Sequence, residues 1–72
     1  MKTIDKLIKI LDLLAENPSG LTRDQFIDEL EIPDSTMHRL LKTLERHNVL
    51  KSEYVGKKKK YKIGLKILEY SS

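Results

Sequence analysis

Residues 34–47 concentrate side chains that donate hydrogen bonds or carry positive charge. At helical spacing their apolar residues fall on one side, and the opposite side carries hydroxyls, an imidazole and cations. These polar residues are Ser35, Thr36, His38, Arg39, Lys42 and Arg46. Such groups donate to phosphate oxygens and to acceptor atoms on base edges, and arginine can make a bidentate contact with guanine. The stripe predicts a nucleic-acid-binding face, and the alternative is an ordinary solvated helix face.

A run of lysines follows further along the chain. It comprises Lys57, Lys58, Lys59 and Lys60, with Lys62 close behind. Adjacent cations repel one another, and a nucleic-acid backbone relieves that repulsion while releasing its condensed counterions. We therefore assign these lysines to phosphate contact. A solubilising loop tip, or an edge strand charged against aggregation, is the alternative.

Two further pairs of residues bear on the same function. Thr22 and Arg23 offer a hydroxyl, free amides and a cation at a predicted helix start, where phosphate binds readily. A plain helix cap is the alternative there, and the two roles can coexist. Tyr54 and Tyr61 could stack on the bases of a single strand. We instead expect both tyrosines to face the core across a hairpin.

The sequence contains no residue set typical of catalysis or metal binding. His38 and His47 lie nine residues apart on one predicted helix, so their directions differ by roughly half a revolution and they cannot share a metal ion. There is no glycine-rich phosphate loop, no cysteine and no close acid pair in an apolar pocket. We predict a protein that is not an enzyme and has no cofactor.

Length and charge bound the class of protein. The 72 residues predict a single domain, 1–72, and the 39% hydrophobic and 35% charged fractions exclude a disordered chain or a membrane span. The start lacks a signal-peptide pattern, so we expect an intracellular, cytoplasmic location. The net charge of +3 is unevenly distributed along the chain. Residues 1–33 contain four basic and seven acidic side chains, whereas residues 34–66 contain ten basic and three acidic ones. This basic half predicts a partner with organised negative charge.

The pattern of apolar residues predicts the elements that position these groups. A first helix over 2–16 has one face formed by Ile4, Leu7, Ile8, Leu11 and Leu14. Ile10 and Leu13 widen this face beyond one packing surface, so the helix is either deeply buried or shares a second face with another chain. A capping box of Thr22 and Gln25, with Leu21 and Phe26 as a hydrophobic staple, starts a second helix that ends near Glu31.

The third helix spans 34–47 and follows the second after a short connection at Pro33, which makes a helix-turn-helix. Its predicted inner face consists of Met37, Leu40, Leu41 and Leu44. Asn48 is a predicted left-handed cap. After Asn48 the apolar residues recur at every second position, which predicts a two-stranded hairpin around Gly56. A short helical turn is predicted over 65–70. The predicted fold is α+β, a winged helix-turn-helix with a three-helix core and a hairpin wing.

The chain resembles the IclR (isocitrate lyase regulator) transcription factors in four segments. These are residues 22–30, the string Pro33-Asp34-Ser35-Thr36-Met37-His38-Arg39-Leu40-Leu41, and residues 10–15 and 61–69. The resemblance covers nearly the whole chain. It implies a dimeric, sequence-specific DNA-binding regulator whose third helix reads the major groove and whose wing touches the backbone or the minor groove. By position it makes Ser35, Thr36, His38 and Arg39 the recognition residues, and Thr22 and Arg23 backbone contacts.

The chain departs from that family in three respects. The effector-binding domain of the family is missing after residue 72, so no small-molecule effector is expected to act through this chain. Asp34 stands where a small or basic residue is common, and its carboxylate would repel phosphate unless it accepts from a cytosine amino group. Four lysines in the wing are more than the pattern requires.

These observations together predict a sequence-specific transcriptional regulator that binds double-stranded DNA, with Lys42 among the base-reading residues and Arg46 among the backbone contacts. We expect a homodimer and no membrane partner. The predicted dimer interface consists of Ile10, Leu13, Ile67 and Tyr70. A winged-helix module for protein interaction, and an RNA or single-strand binder, are the alternatives.

Overall fold

Three helices and a three-stranded antiparallel sheet make up the fold in the computed structural model, which describes residues 2–64. The elements are α1 (Thr3–Glu16), β1 (Leu21–Thr22), α2 (Arg23–Leu30), α3 (Asp34–Arg46), β2 (Leu50–Val55) and β3 (Lys58–Ile63). The predicted α+β winged helix-turn-helix is confirmed. The predicted turn over 65–70 lies outside the described residues. No helix within 2–64 is long and apolar enough to cross a membrane.

One core holds all three helices and the wing together. The predicted inner face of α3 is buried, as are Phe26 of α2 and Tyr61 of β3. The rings of Phe26 and Tyr61 meet edge to face, with their centroids 6.4 Å apart. Edge-to-face pairs of this kind add to the free energy gained from burial alone. The contact therefore attaches the wing to the helix-turn-helix.

The start of α2 is a complete capping box, as predicted. The amide of Gln25 donates to the Thr22 hydroxyl over 3.3 Å, and the amide of Thr22 donates to the Gln25 side chain over 2.9 Å. The helix ends at Glu31, whose φ of 53° is left-handed, and Pro33 then precedes α3. Asn48 after α3 is also left-handed, with a φ of 62°, which confirms the predicted cap.

The sheet has one strand that the sequence did not predict. The order is β1-β3-β2, and β1 contributes only Leu21 and Thr22, which pair with Tyr61 and Lys60 of β3. Two residues are too short for an alternating pattern to appear. Because Thr22 is both a strand residue and the cap of α2, this pairing places the start of α2 beside the wing.

The face of α1 that meets the core differs from the prediction. Ile10 is 0% exposed and lies in the core with Leu14, whereas Ile4 and Ile8 are 70% and 51% exposed. Ile8 and Ile10 are two residues apart and point about 160° away from each other. Because α1 is apolar on several sides, its periodicity fits more than one face, and only the neighbouring elements decide which one is buried. Assigning Ile4 and Ile8 to the inner face was wrong.

The two tyrosines also differ from each other, contrary to the prediction. Tyr61 is 7% exposed, as expected, but Tyr54 is 72% exposed. Tyr54 pairs with Lys59 and so shares a sheet face with Tyr61, yet it lies nearer the hairpin tip. Tyr54 is not among the residues that form or pack against the core, whereas Tyr61 belongs to it.

The capping box predicts a measurable contribution of Thr22 to stability. Replacing Thr22 with alanine removes the acceptor for the Gln25 amide, and we expect the free energy of unfolding to fall by about 1 kcal/mol. Thr22→Ser keeps a hydroxyl at the same position and should retain most of the stability. Chemical denaturation followed by circular dichroism measures both variants, and equal stabilities would contradict the capping role.

Candidate nucleic-acid interface

The polar side of α3 faces solvent along its whole length. Its exposed residues are Ser35, His38, Arg39, Lys42 and Arg46, and Thr36 is half-buried beside them. The apolar residues of the same helix lie on the opposite side, in the core. Since side chains three and four apart share a helix face, burial of one side presents the other as a continuous stripe. The structure therefore brings together the α3 residues predicted to read bases.

Arg23 connects the start of α2 to the start of α3. Its Nε lies 3.3 Å from the Asp34 carboxylate, and its Nη1 lies 3.2 Å from Nδ1 of His38. Asp34 is thus paired with a cation of its own chain, which offsets the repulsion that its charge would exert on phosphate. The spacing of these three residues along the chain follows no motif, so the sequence alone gave no signal for this contact.

An open cleft of about 510 Å³ separates the start of α2 from the wing tip. Thr22 and Arg23 line one side, and the other is lined by Lys57, Lys58 and Lys59. The acids Asp24 and Asp28 also line the cleft, so its charge is mixed. Because Arg23 lines the cleft and also contacts His38, the surface is continuous from α3 through the start of α2 to the wing.

Four of the five wing lysines fall into two groups. Lys57 and Lys58 are exposed near the tip, whereas Lys59 and Lys62 carry partners within the chain. The ammonium of Lys59 lies 3.7 Å from the Glu45 carboxylate and 5.3 Å from the centre of the Tyr61 ring. Burial by itself would lower the pKa of Lys59, but Tyr61 and Glu45 outweigh it, and the pKa is raised above 10.5.

The outer face of the wing carries an ion pair. Lys62 hydrogen-bonds to Glu53, and this hydrogen bond together with the charge of Lys62 holds the pKa of Glu53 below its usual 4.5. Lys60 lies directly across the strand pair from Glu53. The ammonium of Lys62 is therefore oriented by an acid of the same sheet face.

Each acid of the basic half of the chain is paired with a cation. Asp34, Glu45 and Glu53 are the acids of residues 34–66, and their partners are Arg23, Lys59 and Lys62. Glu45 also accepts a hydrogen bond from the Ser52 hydroxyl, which connects α3 to β2. Six of the predicted charged contact residues make no ion pair within 2–64: Arg39, Lys42, Arg46, Lys57, Lys58 and Lys60. Exposed pairs of this kind contribute little to stability, and their effect here is to orient cations.

The predicted dimer interface needs a correction. Ile10 lies wholly in the core of its own chain, so it has no surface to offer a partner. Leu13 is partly buried and packs against the same core. Ile67 and Tyr70 lie outside the described residues. The exposed apolar residues of α1 are instead Ile4 and Ile8.

Metal binding finds no support among residues 2–64. They contain no group of three or more histidine, cysteine or acidic side chains arranged to hold a metal ion. His38 and His47 lie at opposite ends of α3.

The helix-turn-helix order, the exposed polar stripe on α3 and the adjoining basic wing are features of helix-turn-helix DNA-binding domains. The sequence model of the IclR helix-turn-helix domain matches residues 3–53, well over half of the chain. The chain belongs to this family. Comparison with curated proteins gives no match.

Membership of the IclR helix-turn-helix family supports a DNA-binding role in transcription regulation and points to a protein that is not an enzyme. The family match includes all three helices and ends within β2. The lysines at the wing tip and the whole of β3 lie beyond it, so their contribution rests on the structure of this IclR-type domain alone.

The Glu53–Lys62 pair predicts a pH effect. Because the folded chain lowers the pKa of Glu53, the pair stabilises the fold at neutral pH, and this contribution is lost as pH falls through the lowered pKa. Replacing Lys62 with methionine should return the pKa of Glu53 towards 4.5 in an NMR titration. Lys51→Met should shift it less, because Lys51 acts on Glu53 only by its charge. Equal shifts in the two variants would contradict the specific pair.

Proposed function

We propose that this IclR-type domain binds double-stranded DNA sequence-specifically, with α3 in the major groove. The observation that carries the proposal is the exposed stripe on α3 opposite its buried apolar face. A helix presented in this way fits the major groove, and in helix-turn-helix proteins the N-terminal residues of the second helix touch the bases. We assign base reading to Ser35, Thr36, His38, Arg39 and Lys42.

Contact with the DNA backbone is assigned to residues on both sides of this stripe. These are Thr22, Arg23, Arg46, Lys57, Lys58, Lys59, Lys60 and Lys62. The exposure of Lys57 and Lys58 supports direct phosphate contact at the wing tip. Lys59 and Lys62 must give up their ion pairs with Glu45 and Glu53 before they can contact phosphate. Each therefore adds less to the affinity for DNA than Lys57 or Lys58 does.

The alternatives differ from this proposal in what they require of the surface. A single-strand or RNA binder needs Tyr54 and Tyr61 exposed for stacking. Tyr61 is buried, so that function lacks one of its two aromatic platforms. A protein-interaction module needs no phosphate contacts, and its affinity for duplex DNA would show little dependence on salt.

Two variants test the division between base reading and backbone contact. After selection of a preferred duplex, Arg39→Ala should cost about 1–3 kcal/mol at one base position and relax the preference there. Replacing Lys57 and Lys58 with serine should weaken binding to every sequence alike and flatten the dependence of log K on log salt by about 0.9 per lost phosphate contact. Binding isotherms over a range of salt concentrations measure both effects.

The opposite pattern would refute these assignments. If Arg39→Ala kept the affinity and base preference of the parent, Arg39 would not read a base. If the lysine variant changed which sequence is preferred, the wing would not act through phosphate alone. Salt-independent, weak binding of duplex DNA by the parent would favour the protein-interaction module.

We further propose that the domain acts as a homodimer through α1. Dimeric helix-turn-helix proteins bind two half-sites about one helical turn apart, and a two-fold partner therefore suits this function. The exposure of Ile4 and Ile8, one turn apart on a single face of α1, supports a contact there. Ile67 and Tyr70 remain assigned to the same interface by their sequence pattern.

Introducing charge into the exposed face of α1 tests the dimer. Ile8→Glu should shift the protein towards a monomer, because a carboxylate would be buried against the partner without a counter-charge. Ser19→Glu makes the same change of charge in the exposed turn after α1 and should leave the assembly unchanged. Sedimentation equilibrium measures both variants, and an unchanged association of Ile8→Glu would rule out this face.

A further inference from the structure

We infer that Arg23 is a positioning residue that fixes the tautomer of His38, so that His38 presents an Nε2–H donor to an acceptor atom on a DNA base. The inference rests on the proposed entry of α3 into the major groove. Its structural basis is the contact of Arg23 with both Asp34 and His38.

The chemistry of the two side chains determines the direction of the hydrogen bond. A guanidinium has only donors, so the 3.2 Å contact between Arg23 Nη1 and His38 Nδ1 requires Nδ1 to accept through its lone pair. A neutral imidazole carries one proton, and this proton must then lie on Nε2. The nitrogen that is turned away from Arg23 is therefore the donor.

The position of Arg23 is itself determined by two contacts. Its Nε is held by the Asp34 carboxylate at 3.3 Å while Nη1 reaches the imidazole, so the planar guanidinium spans both groups. Asp34 and His38 are four residues apart on α3 and share one face of the helix. A lysine ammonium has no planar fork of donors and cannot match both positions in the same way.

This arrangement gives Asp34 a role other than contact with DNA. The Asp34 carboxylate orients Arg23, and Arg23 orients His38. The imidazole of His38 is the group that contacts the base. An Nε2–H donor suits the major-groove acceptors: N7 and O6 of guanine, N7 of adenine and O4 of thymine. It is mismatched to the amino group of cytosine, which is itself a donor. His38 therefore selects against cytosine at the position it faces.

The first test reads the tautomer directly. Long-range ¹H–¹⁵N NMR spectra, recorded at a pH where the histidines are neutral, distinguish a protonated ring nitrogen from an unprotonated one. In the parent, Nδ1 of His38 should be unprotonated. In Arg23→Met its signal should move towards that of His47, which is exposed at the far end of α3 and serves as an internal control. An unchanged His38 spectrum in Arg23→Met would overturn the inference.

The second test reads the base preference. At the position where His38→Ala relaxes the selected base, Arg23→Lys should also relax it, by roughly tenfold, while keeping the positive charge. The double variant should be no worse there than His38→Ala alone, because Arg23 acts through His38. Arg46→Met is the matched control: it removes a proposed phosphate contact and should lower the affinity for all sequences without changing the preference.

The outcomes separate this inference from the function on which it rests. A parent that binds duplex DNA with no sequence preference would overturn the proposed function and the base-reading role of His38 together. A selective parent whose preference survives in Arg23→Lys, with additive effects in the double variant, would overturn the positioning role of Arg23 alone. Loss of the same preference in Arg23→Lys and His38→Ala, with the shifted His38 spectrum, supports it.

Discussion

Burial of the apolar side of α3 determines which of its side chains face solvent, and the proposed DNA-binding surface depends on this orientation. Met37 and Leu41 are completely enclosed, and Leu40 and Leu44 pack beside them against α2 and the sheet. Rotation of α3 about its axis would bring cations into the core, where an unpaired charge is very costly. The exposed orientation of the polar stripe therefore follows from packing and needs no DNA to establish it.

The same core holds the wing at the side of the helix-turn-helix. Tyr61 packs against Phe26 on one side of β3, and β1 pairs with β3 at its edge. Thr22 belongs to β1 and also caps α2, so one residue links the strand pairing to the start of a helix. The surfaces assigned to DNA therefore belong to elements that share a single packed core.

A small number of acidic side chains orient the cations on the surface of this core. The basic half of the chain contains three acids, and each pairs with a cation near the proposed interface. Such exposed pairs add little stability, but they restrict where long side chains point. In the case of Asp34, the acid that appeared unsuited to a DNA-binding helix is the one that positions Arg23 against His38.

Local rules explain what the sequence by itself determined: the helical periods, the capping box at Thr22, the left-handed Asn48, the inner face of α3 and the winged helix-turn-helix that follows from their order. The tertiary structure alone decided the face of α1 that is buried, the exposure of Tyr54, the short strand β1 and the contact of Arg23 with α3. Each of these depends on what a distant segment places opposite the residue. Periodicity shows that Ile8 and Ile10 are both apolar, but only the neighbouring elements exclude water from one and leave the other exposed.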